Sequence, residues 1–312
     1  MNNIDIVFLN KKKLPINDTS FVDDMKYLWG DWGVNSEVSP LKSVLLRRPG
    51  KELEQFNHEQ ARFKSPIIPE LFRVEHDVLA DIYRNNEVEV HYVENMRRDR
   101  PNSVFLRDLM FMTPEGAILG RSIMPDRRGE ERYIAEQLAK LGVPILCTIN
   151  GNGFFEGSNA MWVNKNTVII ASNERSNEKG LKQVKYQLRR IGVKNFINLQ
   201  LHKGLSHIDQ IMNFISEDMV AVFKPAIPVE VEVALKSKGY KLLEAPCQLE
   251  IQKNLGLDFV TLEPGKIIQP SGNPRCKELF ENNGIEVITA QYSEMIKGLG
   301  GINSVTAVLK RE

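Results

Sequence analysis

The sequence predicts an α/β chain of five repeated ββαβ-type units closed into a ring, and three observations predict it. An amphipathic helix, a Gly or Asn stop and a short β-branched strand recur five times. The stops fall at 86, 142, 192, 239 and 284, a period of about 50 residues, which is the signature of a radial array rather than a doubly wound sheet. No Pro/Ser-rich linker interrupts the series, so residues 1–312 read as a single domain.

In chain order, residues 44–48 (VLLRR) read as a strand. Val78 and Ile82 mark the first helix, which stops at Asn85-Asn86 before the strand VEVHYV. Residues 104–108 (VFLRD) read as another strand. A helix over 126–143 follows, with Ile134, Leu138 and Leu141 at helical spacing and Gly142 as the residue that ends it in the left-handed region. VPILC and MWVNKNTVIIAS supply the next strands. The third helix carries Leu181, Val184, Leu188 and Ile191 and stops at Gly192 before VKNFINL. MVAVF (219–223) precedes a fourth helix with Val231, Ala234 and Leu235, a stop at Gly239, and YKLLEA. The last copy runs through Leu279 and Phe280 to Gly284 and IEVITA, and VTAVLK closes the chain.

Composition bounds the function. Forty-one Lys and Arg against 40 Asp and Glu leave a formal charge of +1, which gives no electrostatic footprint for nucleic acid or an anionic membrane. No run approaches the roughly 18 apolar residues of a membrane span. The opening MNNIDIVFLNKKKL has the wrong order of charge and apolar residues for a signal peptide. Cys147, Cys247 and Cys276 are far apart and show neither disulfide nor CxxC spacing, so a cytoplasmic location with reduced thiols is expected. Nothing in the sequence argues against a homo-oligomer. The aromatic residues before position 33 (Phe21, Tyr27, Trp29, Trp32) are expected to pack against the ring, with a lid over the site as the rival reading.

Chemistry in α/β folds gathers beyond the carboxyl ends of strands. There this sequence places Arg107-Asp108, then Glu156 among Gly151, Gly153 and Gly157, then His207 and Asp209, then Ser304 behind Gly298, Gly300 and Gly301. Three carboxylates and one imidazole suit a cationic ligand or acid–base work. Asp108 and Asp209 could accept from a planar guanidinium in forked geometry, while Glu156 fixes the His207 tautomer and Ser304 serves as nucleophile. Each residue alone has a bland reading, such as an ion pair, a turn cap or a helix cap. A divalent metal is the rival for the set, but no HxH or HExxH spacing exists, so no metal or other cofactor is expected.

At these residues the sequence resembles the guanidine-modifying enzymes: arginine deiminases, dimethylarginine dimethylaminohydrolases and amidinotransferases. The resemblance runs through SEVSPLKSVLLRRPG, VFLRD, FFEGSNAMW, ERSNEKG, SHIDQ and GLGGINS, in order along nearly the whole chain. It implies a five-unit α/β propeller and an arginine-like small-molecule substrate cleaved at a guanidinium C–N bond by covalent catalysis. Asp108 and Asp209 would bind the guanidinium, Glu156 would orient His207, His207 would be the general acid and base, and Arg175 of ERSN would hold the substrate carboxylate. Two positions depart from the pattern. Asn159 stands where an acidic residue is common, which bears on substrate choice, and Ser304 stands where the family has its nucleophilic cysteine. Ser304 is then an engineered replacement, the mark of a non-catalytic guanidino-binding relative, or a true nucleophile with His207 as base. Hydrolysis is the leading outcome, with amidino transfer to an amine acceptor as the alternative.

Overall fold

The computed structural model describes residues 18–94 and 97–312, so the opening stretch up to Leu14 lies outside the described residues. Helix α1 (Phe21–Leu28) starts at Ser20, whose hydroxyl accepts from the Asp23 amide. Strand β1 (Leu41–Leu46) follows, then α2 (Pro69–Asn85) and β2 (Glu89–Tyr92). The next unit is β3 (Met110–Thr113), β4 (Gly116–Leu119), α3 (Glu130–Leu141) and β5 (Ile145–Thr148). The third is β6 (Ala160–Asn164), β7 (Thr167–Ser172), α4 (Glu178–Arg190) and β8 (Asn195–Gln200). The fourth is β9 (Met212–Phe214), β10 (Met219–Val222), α5 (Val229–Ser237) and β11 (Lys241–Glu244). After α6 (Gln248–Asn254) the fifth is β12 (Val260–Glu263), β13 (Lys266–Pro270), α7 (Pro274–Glu281) and β14 (Glu286–Ala290). A four-residue helix α8 (Ile302–Val305) leads into β15 (Ala307–Arg311).

These strands form five three-stranded sheets with one plan. An antiparallel hairpin supplies two strands, and a helical crossover returns the chain to pair parallel with the second of them, as in β3–β4–β5 and β6–β7–β8. The first sheet takes its antiparallel strand from the far end of the chain, because β15 pairs with β1. Burial falls along each sheet. All four residues of β3 are buried, whereas none of the four in β5 is.

Neighbouring sheets are tied by buried side-chain hydrogen bonds. Trp162 Nε1 donates to the Met112 carbonyl at 3.0 Å, Tyr240 Oη to Val163 at 2.7 Å, Thr261 Oγ1 to Phe214 at 2.6 Å, and Arg311 Nη2 to Thr261 at 2.8 Å. Such bonds satisfy polar groups that would otherwise be desolvated without a partner.

All five expected helices are present. Four stop at glycines with φ of +77° to +94°, at Gly142, Gly192, Gly239 and Gly284, where an L side chain would be strained. At the first stop the left-handed residue is Glu87 (φ 59°), not Asn86. Three sequence expectations are corrected. Residues 104–108 are no strand but the junction of two 3-10 turns, Pro101–Val104 and Leu106–Leu109. The second helix starts at Glu130 rather than 126, because Gly129 turns the chain at φ 89° immediately before it. In α2 the core face is Phe72, Leu79, Ala80 and Tyr83, while Val78 is 44% exposed.

Among the described residues, no helix is long and apolar enough to cross a membrane.

Candidate active site

Asp108 lies in the second 3-10 turn and is buried, as are Glu156, His207 and Asp209. Glu156 sits just before a third such turn (Gly157–Asn159) that packs on the second, and His207 precedes a fourth (Ile208–Gln210). Gly157 makes this packing achievable. A Cβ there would stand 2.0 Å from the Met110 carbonyl oxygen and 2.4 Å from that of Arg107. Gln210 fixes the His207 backbone, its side-chain oxygen accepting from the amides of Ser206 and His207 at 2.7 and 3.3 Å.

The sequence-distant residues meet as expected. His207 Nε2 is 2.8 Å from Glu156 Oε2 and 3.3 Å from Asp108 Oδ1. Burial opposes the imidazolium, but the Asp108 charge and the Glu156 hydrogen bond outweigh it, so the His207 pKa lies above its usual value. Burial likewise opposes the Glu156 carboxylate, yet the His207 bond and the Arg175 charge hold its pKa well below the usual range. Both shifts act in one direction, favouring the protonated imidazole beside the Glu156 carboxylate.

The remaining lone pairs are engaged. Glu156 Oε1 accepts from Ser122 Oγ at 2.7 Å, and Oε2 also accepts from Arg175 Nη1 at 3.2 Å. Asp108 Oδ1 accepts from Ser158 Oγ at 2.6 Å, and Oδ2 takes Arg127 Nη1 at 2.5 Å. Arg127 is buried and also reaches Glu130 Oε2 at 3.0 Å and the Phe105 carbonyl at 3.0 Å. Asp108, Glu156 and His207 each offer an atom within 4.8 Å of the others, a spacing that a cation could share. The donors already on those carboxylates are two guanidinium groups and two hydroxyls, which fits hydrogen bonding better than metal ligation.

Asp209 is different. Its Oδ2 accepts from Asn303 Nδ2 at 2.9 Å, but Oδ1 is buried with no partner. Burial raises its pKa against the charges of His207 and Arg107. Ser304 lies in α8 and lines one cavity together with Asp108, Arg127, Arg175, His207 and Phe105. None of the aromatic residues of 21–32 lines it. Tyr27 and Trp29 are exposed, and the Trp32 ring packs edge-on against His91.

Three placements differ from expectation. Asp209 is fully buried and does not itself line the cavity. Asn159 is fully buried behind Glu156, its Nδ2 donating to Ser176 Oγ at 3.0 Å, and it does not line the cavity. The Ser304 hydroxyl donates not to His207 but to Asp258 Oδ2 at 2.7 Å. Asp258, Arg127 and Ser158 escaped the sequence reading. Arg127 had a signal, since Arg127 and Glu130 stand three residues apart in the stretch read as helix, an ion-pair spacing.

The fold and this constellation define a guanidine-modifying enzyme. The chain belongs to the N,N dimethylarginine dimethylhydrolase family, whose eukaryotic model matches residues 48–308. An arginine deiminase of Borreliella afzelii is 24% identical over 89% of this chain and 97% of its own length. Three solved structures share the fold. The dimethylarginine dimethylaminohydrolase of Pseudomonas aeruginosa, a cysteine-to-serine mutant complexed with citrulline, superposes with a TM-score of 0.73 at 20% identity, covering 87% of this chain and 100% of that one. The N-terminal domain of ArgZ, an arginine dihydrolase from Cyanobacteria, gives 0.75 at 16% identity, covering 86% and 97%. An amidinotransferase of Microseira wollei gives 0.72 at 15% identity, covering 90% and 97%.

Proposed function

We propose that this chain hydrolyses the guanidino group of arginine or a close derivative, cleaving a C–N bond through a covalent intermediate on residue 304. The observation that carries the reading is His207 held between Glu156 and Asp108 at the wall of the cavity that Ser304 also lines. His207 protonates the leaving amine and then takes a proton from the incoming water. Asp209, with a buried carboxylate oxygen that has no partner, receives the substrate guanidinium. Asp108 lines the cavity itself. Arg175, which lines the cavity, would hold the substrate carboxylate, and Asn159 would shape the site from behind Glu156.

The five sheets close into one ring, a five-bladed α/β propeller forming a single domain. The β15–β1 pairing and the bonds between neighbouring sheets support this. The three free cysteines fit a reducing, cytoplasmic setting. The chemistry assigned to these side chains needs no metal or organic cofactor. Hydrolysis needs only water as acceptor, whereas amidino transfer would need a second amine in the same cavity.

The test is incubation of the chain and its Ser304→Cys variant with arginine, dimethylarginine and agmatine, following citrulline, ornithine and released amine, with binding measured by calorimetry. Ureido product from at least one substrate is expected. Neither binding nor product from any of them in either form would overturn the reading. Amidino transfer to glycine, ornithine or lysine without hydrolysis would move it to the transferase.

A further inference from the structure

The Gly-rich segment before β15 folds around a buried carboxylate that belongs to another unit. Asp258, 2% exposed, lies just before β12. Its Oδ1 accepts the backbone amides of Asn303 at 2.6 Å and Ser304 at 3.2 Å, and its Oδ2 accepts the Gly301 amide at 3.0 Å and the Ser304 hydroxyl at 2.7 Å. The glycine at 301 is sterically required, since a Cβ there would meet Asp258 Cγ at 2.9 Å. An ionised carboxylate only accepts hydrogen bonds, so the Ser304 proton is the one shared with Asp258. The oxygen lone pairs of Ser304 are left for the cavity that it lines.

Resting on the function proposed above, we propose that Asp258 is the proton acceptor for Ser304, and that this site is built for attack by oxygen rather than by sulfur. A thiolate at position 304 would sit against a fixed buried carboxylate, and like charges at that range disfavour the second ionisation. A hydroxyl has the opposite need, because it is a poor nucleophile until a neighbouring base removes its proton. His207 is not placed to be that base, with its Nε2 held by Glu156 and close to Asp108. Asp258 is faced by Asp209, which repels its charge, by Arg107, which attracts it, and by the hydroxyls of Tyr83 and Tyr292. Burial first, and Asp209 second, push its carboxyl up to about 7, which suits a base working near neutrality.

The steps balance. Ser304 Oγ bonds to the guanidinium carbon as its proton passes to Asp258. The C–N bond breaks as His207 protonates the departing amine, leaving an oxygen-linked isouronium on Ser304. Water adds to that carbon and gives a proton to His207. The C–Oγ bond then breaks, Asp258 returns the proton to Ser304, and the released amine carries off the excess proton of the ureido product. Nothing is oxidised or reduced.

The experiment has two arms. In the first, the thiol introduced by Ser304→Cys is titrated through its alkylation rate by iodoacetamide, read by peptide mass spectrometry, with and without Asp258→Asn. The expected midpoint is above about 8.5, the free-cysteine value, and Asp258→Asn should raise the alkylation rate at pH 7 at least tenfold. A midpoint at or below that value with Asp258 present, unmoved by Asp258→Asn, overturns the proposal. This arm needs no substrate, so it is independent of whether the function above is right. If Asp258→Asn does not fold, the single-variant midpoint still decides. In the second arm, Asp258→Asn in the Ser304 chain should cut turnover at least 100-fold while calorimetry still detects arginine binding, and the acid limb of the kcat profile should disappear. Unchanged turnover and profile overturn the proposal, as does a parent chain that binds arginine yet forms neither adduct nor product. A chain that binds no guanidino compound defeats the function instead.

Discussion

His207 Nε2 and Glu156 Oε2 stand 2.8 Å apart although 51 residues separate them in sequence. With His207 10% and Glu156 1% exposed at the side chain, the pair is shielded from water, so its electrostatics are felt at nearly full strength. The His207 pKa is raised, so the histidine contribution to stability is complete below about 6.5 and is lost as pH rises through the folded value. Glu156→Gln removes the charged acceptor. NMR titration should then show the His207 midpoint falling, and the rate of guanidino cleavage should drop by about 100-fold or more. An unmoved midpoint would mean that Asp108 alone sets the charge on His207.

Asp258 gives a second pH dependence. Its folded pKa is raised to about 7, so folding favours its protonated form. Stability linked to it is present below about 3.9, the free-aspartate value, and is lost as pH rises towards 7. Asp258→Asn cannot lose a proton, so urea unfolding should show the variant gaining on the parent between pH 4 and pH 7 and then running level. A difference that stays flat across that window would place the Asp258 pKa near its ordinary value.

Arg127 bonds to Asp108, Glu130 and the Phe105 carbonyl from a position 4% exposed. Arg127→Met would leave two buried carboxylates without their cation and should cost about 3–5 kcal/mol in denaturant unfolding. Arg127→Lys should recover little of it, because one ammonium cannot reproduce a planar fork that reaches three acceptors.

Gly157 meets two backbone carbonyls from the Asp108 turn. Gly157→Ala should destabilise the chain by about 2 kcal/mol or more by forcing these turns apart. Arginine binding should weaken in step, since the same displacement moves Glu156 away from His207. Calorimetry and thermal unfolding of one preparation would show both.

The metal alternative is directly measurable. Elemental analysis of the purified chain should find no stoichiometric divalent ion, and chelator treatment should leave turnover unchanged. Retained metal together with activity lost to chelator would require the Arg127 and Ser158 bonds to Asp108 to give way to an ion.

Much of the repeat was legible in the sequence because it rests on local rules. Gly142, Gly192, Gly239 and Gly284 mark helix ends through backbone conformations that the residue type alone permits. Leu181, Val184 and Leu188 sit on the buried face at the spacing that the helical turn demands. The hairpin β3–β4 was not legible, because both strands are buried throughout and so lack the alternation that marks a half-exposed strand. VFLRD misread for a related reason. Three apolar residues fit a strand, but Pro101 begins a 3-10 turn and the chain keeps turning through Leu109.

By itself the sequence determined the order of the five repeated helices and the strand after each, the near-neutral charge and the candidates Asp108, Glu156, His207, Asp209 and Ser304. These follow from residue type and short-range spacing, which the chain carries wherever it folds. Only the tertiary structure decided which oxygen faces which proton: Arg127 on Asp108, Asn159 withdrawn behind Glu156, and Ser304 on Asp258 rather than on His207. Ser304 and Asp258 are 46 positions apart. A hydrogen bond needs its atoms within about 3 Å, and packing of separate units, not local propensity, brings such atoms together.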